Sequence, residues 1–211
     1  MKLQVALDAI TLEKAVELVK EARDYVDIIE IGTPMVIEYG MLAVRTMREN
    51  FPEKEILADL KIMDGGKYEA GQAFKAGADY ITVLGVTDNL TVKACVEAAN
   101  EYGKEVVVDM ICVEDIPARV KKMEELGAHG VAVHVGVDQQ ASGRTPLDDL
   151  KVMKAAASVA KVSVAGGINV STMPSYCALN PEVVIVGGGI CNAKDPKEAA
   201  KALHDAIVKS A

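Results

Sequence analysis

Short runs of β-branched and aliphatic residues recur along the chain at intervals of roughly 20 to 30 residues, and the stretches between them carry apolar positions at helical spacing. The runs predict eight strands, at 3–7, 28–31, 55–60, 80–84, 106–110, 130–135, 161–165 and 183–186. The intervening stretches predict helices over 11–24, 35–50, 66–76, 89–102, 116–126 and 147–158, with a last helix that carries His204. Thr11 stands where an N-cap belongs and Glu13 falls in the first turn, although Lys14 occupies the place where a full capping box needs Glu or Gln. Gly77, Gly103 and Gly127 each fall between a helical run and the next strand, the position of a left-handed C-terminal cap.

This alternation is regular enough to imply a fold. Eight βα units in 211 residues leave little room for a second layer or long insertions, which favours one domain, 1–211, built as a compact (β/α)8 TIM barrel. An open doubly wound sheet is the alternative. Its usual glycine loop after the first strand is missing, since Asp8-Ala9-Ile10 stands there.

Composition narrows the picture further. Half the residues are hydrophobic but only 4% are aromatic and none is Trp, so the core must consist of Val, Ile, Leu, Ala and Met, as suits a parallel sheet wrapped by helices. A formal net charge of -8 without a basic cluster argues against nucleic acid as a partner. No apolar run approaches the roughly 20 residues of a membrane span, and the start, Met1 to Asp8, runs straight into a strand with no signal-peptide pattern. A cytoplasmic protein with no membrane partner is expected. Cys95, Cys112, Cys177 and Cys191 lack C-x-x-C spacing and read as reduced, mostly buried thiols.

Charge gathers at the strand ends. In Asp59-Leu60-Lys61-Ile62-Met63-Asp64, strand alternation puts Leu57, Asp59 and Lys61 on one face and Ala58 and Leu60 on the other, while Asp64 lies beyond the strand before Gly65-Gly66. Such charges are costly in a buried strand unless they are paired, bound to metal or kept for a ligand. A plain Asp-Lys salt bridge is the bland explanation, and the D-x-K-x-x-D spacing before two glycines favours a site over it. Asp8, Glu30, Asp109 and His134 end other strands, and in a barrel all of these meet at one mouth. Of the first six strands only the fourth offers no polar group there.

Glu30 and Asp59 are hard oxygen ligands that suit Mg2+, whereas a salt bridge to Lys61 is the rival role for Glu30. His134 ends an otherwise apolar run and is a candidate proton carrier, with a core histidine as the alternative; His129 and His204 read as structural. Gly166-Gly167 and Gly187-Gly188-Gly189 end the seventh and eighth strands, where backbone N–H groups can cradle a phosphate. A small phosphorylated substrate follows from that pair of loops.

Asp8, Ile29-Glu30-Ile31-Gly32-Thr33-Pro34, the run from Ala58 to Gly66 and the two glycine loops together resemble the orotidine-monophosphate-decarboxylase superfamily over essentially the whole chain. Val108-Asp109-Met110-Ile111 and the run from His134 to Gln140 resemble, within it, the hexulose-phosphate synthases. Glu30 stands where the metal-free orotidine decarboxylases carry Lys, so the resemblance implies a metal-dependent enzyme. The 3-keto-L-gulonate-6-phosphate decarboxylases are similar too, but they have Glu at the place of Asp109 and Arg at the places of Val137 and Gly188. With Gly188, phosphate must be held mainly by backbone amides.

The resemblance implies a reversible aldol condensation of D-ribulose 5-phosphate with formaldehyde to D-arabino-hex-3-ulose 6-phosphate, through an enediolate stabilised by Mg2+ on Glu30 and Asp59. Asp8, Asp59 and Glu30 then face the substrate, and Lys61 supplies positive charge, kept protonated by its carboxylate neighbours. His134 is the candidate base at C1, with Asp109 orienting it or holding substrate hydroxyls. Asp64 is implied to reach the site of a neighbouring subunit, hence a homodimer with shared active sites. The ketogulonate-phosphate decarboxylase is the first alternative; a ribulose-phosphate epimerase, which usually needs more metal-binding histidines, and a non-catalytic sugar-phosphate sensor are the others.

Overall fold

The computed structural model describes residues 1–210. The first half of the chain runs β1 (Lys2–Leu7), α1 (Leu12–Ala22), β2 (Ile28–Ile31), α2 (Thr33–Tyr39), α3 (Met41–Asn50), β3 (Glu55–Ile62), α4 (Gly66–Ala76), β4 (Tyr80–Leu84) and α5 (Asn89–Tyr102). The second half continues with β5 (Glu105–Asp109), α6 (Ile116–Glu125), β6 (Gly130–His134), α7 (Val137–Gln140), α8 (Leu147–Ala156) and β7 (Lys161–Ala165). It ends with α9 (Met173–Cys177), β8 (Val183–Val186), α10 (Gly188–Cys191) and α11 (Pro196–Ser210). Each strand pairs in parallel with the next, and β8 returns to β1 through Val184 opposite Leu3 and Val186 opposite Val5. That closure makes the sheet a (β/α)8 barrel and removes the open-sheet alternative.

Strand alternation explains where the core lies. Leu3, Val5 and Leu7 on β1, Ile29 and Ile31 on β2 and Val106 and Val108 on β5 point outward and are fully buried against the helices. Ala15 and Val19 of α1, Val44 and Met47 of α3 and Leu203 of α11 meet them from outside. The intervening residues, Gln4, Ala6, Glu30, Leu57, Thr82 and Ala132 among them, face the lumen. The main apolar layer is thus the shell between sheet and helices, while the lumen carries polar side chains such as Gln4, Glu30 and Thr82 beside apolar ones such as Leu57 and Ala132.

The predicted boundaries hold closely, with differences that have local causes. Helix 35–50 is two helices, because Gly40 adopts φ 55° and ψ -145°, a conformation that interrupts the helix and suits only glycine. Thr11 caps α1 by accepting from the Lys14 N–H at 3.4 Å, and Gly77 and Gly103 are left-handed caps of α4 and α5. The short helices α7, α9 and α10 lie in stretches too brief for a periodic signal.

Candidate active site

The lumen forms a cavity of ≈ 1370 Å³ that runs from Lys2, Glu105 and Lys161 at the amino ends of the strands to a mouth at their carboxyl ends. Its wall carries Asp8, Glu30, Asp59, Lys61, Asp109 and His134, the strand-end residues that the sequence singles out, together with Gly166, Gly167, Gly187, Gly188 and Gly189. Small residues at Ala6, Gly130, Ala132 and Ala165 leave the space open. At the other end of the strands Lys2 pairs with Glu55 at 2.6 Å and Lys161 with Glu105 at 2.7 Å.

β3 reaches this wall through an irregularity that alternation alone does not foresee. Ala58 pairs with Ile81 and Ile62 with Val83, so a four-residue step on β3 faces a two-residue step on β4. Lys61 absorbs the excess with φ 47°, left-handed for a residue that has a Cβ. Its N–H donates to Thr82 Oγ1 at 2.9 Å, and the same hydroxyl donates to Asp59 Oδ1 at 2.7 Å. Thr33 Oγ1 donates to Asp59 Oδ2 at 2.9 Å. Asp59 and Lys61 still share the lumenal face, and Lys61 Nζ pairs with Asp59 Oδ2 while lying 3.3 Å from Asp109 Oδ2.

The charges shift one another. Burial alone would lower the Lys61 pKa, but Asp59, Asp109 and Glu30 outweigh it and raise it, so the side chain stays an ammonium. Glu30 forms no ion pair with Lys61; its Oε2 accepts from Gln4 Nε2 at 2.7 Å. Burial first and then the charge of Asp59 raise the Glu30 carboxyl well above its ordinary range, and the same two causes raise Asp8. Asp109 goes the other way. Burial opposes its ionisation, yet the hydrogen bond and charge of His134, the Lys61 ammonium and the Ile111 N–H together hold it below the usual carboxylate value. His134 Nδ1 lies 2.8 Å from Asp109 Oδ2, which leaves Nε2 as the ring nitrogen available to a substrate.

The two glycine turns are packed against each other. A Cβ on Gly189 would stand 2.5 Å from Ile168 O, and Gly166, at φ 126°, would place one 2.8 Å from Val135 O. Only glycine lets these turns approach so closely, and the approach forms one side of the cavity mouth.

Asp64 stands apart from the other candidate residues. Asp64 is exposed, accepts only from the Gly65 N–H at 2.7 Å, and does not line this chain's cavity. The fourth strand does contribute, through Thr82, which sits in mid-strand rather than at its end. Gln4, Thr33 and Thr82 have no assigned role in the sequence reading; a lone polar residue inside an apolar strand was the available signal for Gln4 and Thr82. Of the four free cysteines, Cys95 and Cys177 are buried, Cys191 is half-buried and Cys112 is exposed at the mouth.

Among the described residues, no group of three or more His, Cys, Asp or Glu converges to hold a metal unaided. Glu30 and Asp59, 7% and 5% exposed, nevertheless fit a divalent cation, because burial and the charge of Asp59 oppose the ionisation of Glu30 and a bound cation would offset both. Two protein carboxylates with substrate and water completing the shell is a usual arrangement for Mg2+.

A parallel barrel whose mouth sets buried carboxylates and an ammonium opposite close-packed glycine turns defines a class, small (β/α)8 enzymes acting on anionic metabolites. The chain belongs to the orotidine 5'-phosphate decarboxylase / HUMPS family, which it matches over residues 1–203. It is 50% identical over 207 residues to the 3-hexulose-6-phosphate synthase of Staphylococcus haemolyticus, covering 98% of this chain and 99% of that one. The crystal structure of 3-hexulose-6-phosphate synthase from Salmonella typhimurium superposes with a TM-score of 0.98 at 52% identity, over 100% of both chains. The 3-keto-L-gulonate-6-phosphate decarboxylase from Vibrio cholerae matches with a TM-score of 0.87 at 29% identity, over 100% of this chain and 98% of that one.

Proposed function

We propose that the chain is an aldehyde-lyase that reversibly condenses D-ribulose 5-phosphate with formaldehyde to D-arabino-hex-3-ulose 6-phosphate. The observation that carries this reading is Lys61, which contacts both Asp59 and Asp109 while Asp109 holds His134. A cation and a base are thereby set side by side, as an enediolate requires. The gap between 50% identity to a synthase and 29% to a decarboxylase supports the aldol reaction over loss of CO₂.

In this reading the ketose phosphate lies with its phosphate on the backbone of Gly166, Gly167 and Gly187 to Gly189 and its C1 toward His134. His134 Nε2 takes a proton from C1, and the electron pair left there forms a C1=C2 double bond as the C2 carbonyl electrons move onto their oxygen, giving an enediolate with oxygens on C1 and C2. Lys61 faces the charge that develops on those oxygens, and Asp8 and Asp59 hold substrate hydroxyls. C1 then attacks the formaldehyde carbon as the C2 carbonyl re-forms, and the proton held by His134 passes to the formaldehyde oxygen. Glu30 and Asp59 are the residues that would hold Mg2+, which when bound supplies Lewis-acid charge for the same oxygens.

We further propose a homodimer with shared sites. Asp64 lies outside its own cavity, and Met63, Tyr68, Val86 and Leu90, in neighbouring loops and first helical turns, are exposed apolar side chains at 55%, 74%, 46% and 77%. A second copy covering that surface would bury them and bring Asp64 to the partner's site. Among the described residues no helix is long and apolar enough to cross a membrane. We place the enzyme in the cytoplasm, a reading that the four free cysteines support.

The test is an assay of the purified protein with ribulose 5-phosphate, formaldehyde and Mg2+. Formaldehyde consumption matched by hexulose phosphate is the expected result. Failure to consume it, with CO₂ released from 3-keto-L-gulonate 6-phosphate, would make the chain a decarboxylase.

A further inference from the structure

We infer that Arg119 and Thr87 are positioning residues that hold the two halves of the catalytic set in register, acting through the segment that joins β4 to α5. The inference rests on the aldolase reading above. Arg119 lies on α6 and does not line the cavity. It spends three donors on one short segment: Nε on Gly85 O, Nη2 on Thr87 O at 2.8 Å, and Nη1 on Asn89 Oδ1 at 2.5 Å. A planar guanidinium fixed at three points orders its target far more than a surface ion pair does.

The gripped segment touches both catalytic strands. On one side the Gly85 N–H donates to Asp109 O at 2.7 Å, and a Cβ on Gly85 would stand 3.1 Å from the same oxygen, so the segment lies close against the end of β5. On the other side Thr87 Oγ1, in a residue only 6% exposed, donates to Met63 O at 2.6 Å. Met63 stands between Lys61 and Asp64. Thr82 already holds the Lys61 N–H, so hydroxyls of β4 and of its following loop pin the irregular end of β3 before and after the left-handed residue. Arg119 therefore acts at one remove on the 3.3 Å approach of Lys61 Nζ to Asp109 Oδ2. Small displacements of such groups are costly to rate, because only the aligned arrangement meets the charge as it forms.

Thr87→Val is the sharp test, since it keeps the shape and removes the hydroxyl. Steady-state formaldehyde consumption with ribulose 5-phosphate and Mg2+ is measured for the wild type, Thr87→Val, Thr87→Ser, Arg119→Ala and Arg119→Lys, with melting curves as the check on folding. We expect Thr87→Val to lower kcat about tenfold, the scale of one lost hydrogen bond, with KM for ribulose 5-phosphate within about twofold. Thr87→Ser should recover most of kcat. Arg119→Ala should fall on the same scale, and Arg119→Lys should not rescue it, because one ammonium cannot serve three acceptors in the plane of a fork. If Arg119→Ala does not fold, the Thr87 pair still decides. Wild-type kcat in Thr87→Val, or a loss that Thr87→Ser leaves in place, would overturn the inference while the aldolase reading stands. A wild-type protein without aldolase activity would overturn both.

Discussion

Lys61 concentrates the chemistry of the site in one side chain. It adopts an unfavourable backbone conformation, pairs with Asp59, approaches Asp109 and stays protonated against its burial. Replacing it by Ala should leave the barrel folded and lower kcat by about 10² to 10³, the usual loss on removing a charge-stabilising donor. Unchanged turnover in an assay of Lys61→Ala would remove Lys61 from the mechanism. Glu30 makes a different and pH-dependent claim. Its carboxyl is raised well above the ordinary glutamate pKa of 4.5, so the folded chain without metal binds a proton that the unfolded chain releases first. Stability of the metal-free protein should accordingly fall as pH rises from about 4.5 through the raised value, and stay low above it. Melting curves across that range should show the decline. Glu30→Gln should reduce it, leaving the part due to the raised Asp8, and Mg2+ should raise the melting temperature of the wild type near pH 7.5 but not that of the variant. A wild-type melting temperature indifferent to Mg2+ at that pH would separate Glu30 from any metal.

The elements differ in how openly the chain announces them. The strands were legible because each is a compact aliphatic run, and α4 and α5 because a periodic face ends at Gly77 and Gly103, whose left-handed caps close them. Gly40 was harder to read, since the apolar period continues on either side of it and only its backbone angles show the break. The end of β3 was legible in composition and not in geometry: alternation puts Asp59 and Lys61 on one face, but the extra residues opposite β4 depend on where Thr82 and Val83 sit. The role of Thr82 is hidden for the same reason, because it lies in bonds to Asp59 and to the Lys61 N–H that exist only after β3 and β4 pair. The glycine turns were legible as a phosphate candidate, while their mutual packing was not. Gly189→Ala tests that packing, since its Cβ would meet Ile168 O at 2.5 Å and force the loop after β7 outward. We expect it to destabilise the fold by about 1–3 kcal/mol and to raise KM for ribulose 5-phosphate, read by melting and steady-state kinetics. An unchanged KM would place the phosphate elsewhere.

At the scale of the whole molecule, the barrel explains why the strand-end candidates gather at one mouth while Asp64 stands apart. Closure of β8 onto β1 brings strand ends together, and every catalytic candidate carried on a strand arrives at the same mouth. Asp64 lies past the end of β3, exposed and outside the cavity lining. The proposed shared site, in which Asp64 serves the partner, can be tested by complementation. Lys61→Ala and Asp64→Ala are each expected to be inactive as homodimers. Mixed and allowed to exchange subunits, they form heterodimers in which one site has lost both groups and the other retains both, Lys61 from one protomer and Asp64 from its partner. Random exchange makes half the dimers mixed, so about a quarter of wild-type activity should return. If Asp64 served its own chain, each site of the heterodimer would keep one lesion, and mixing would restore nothing.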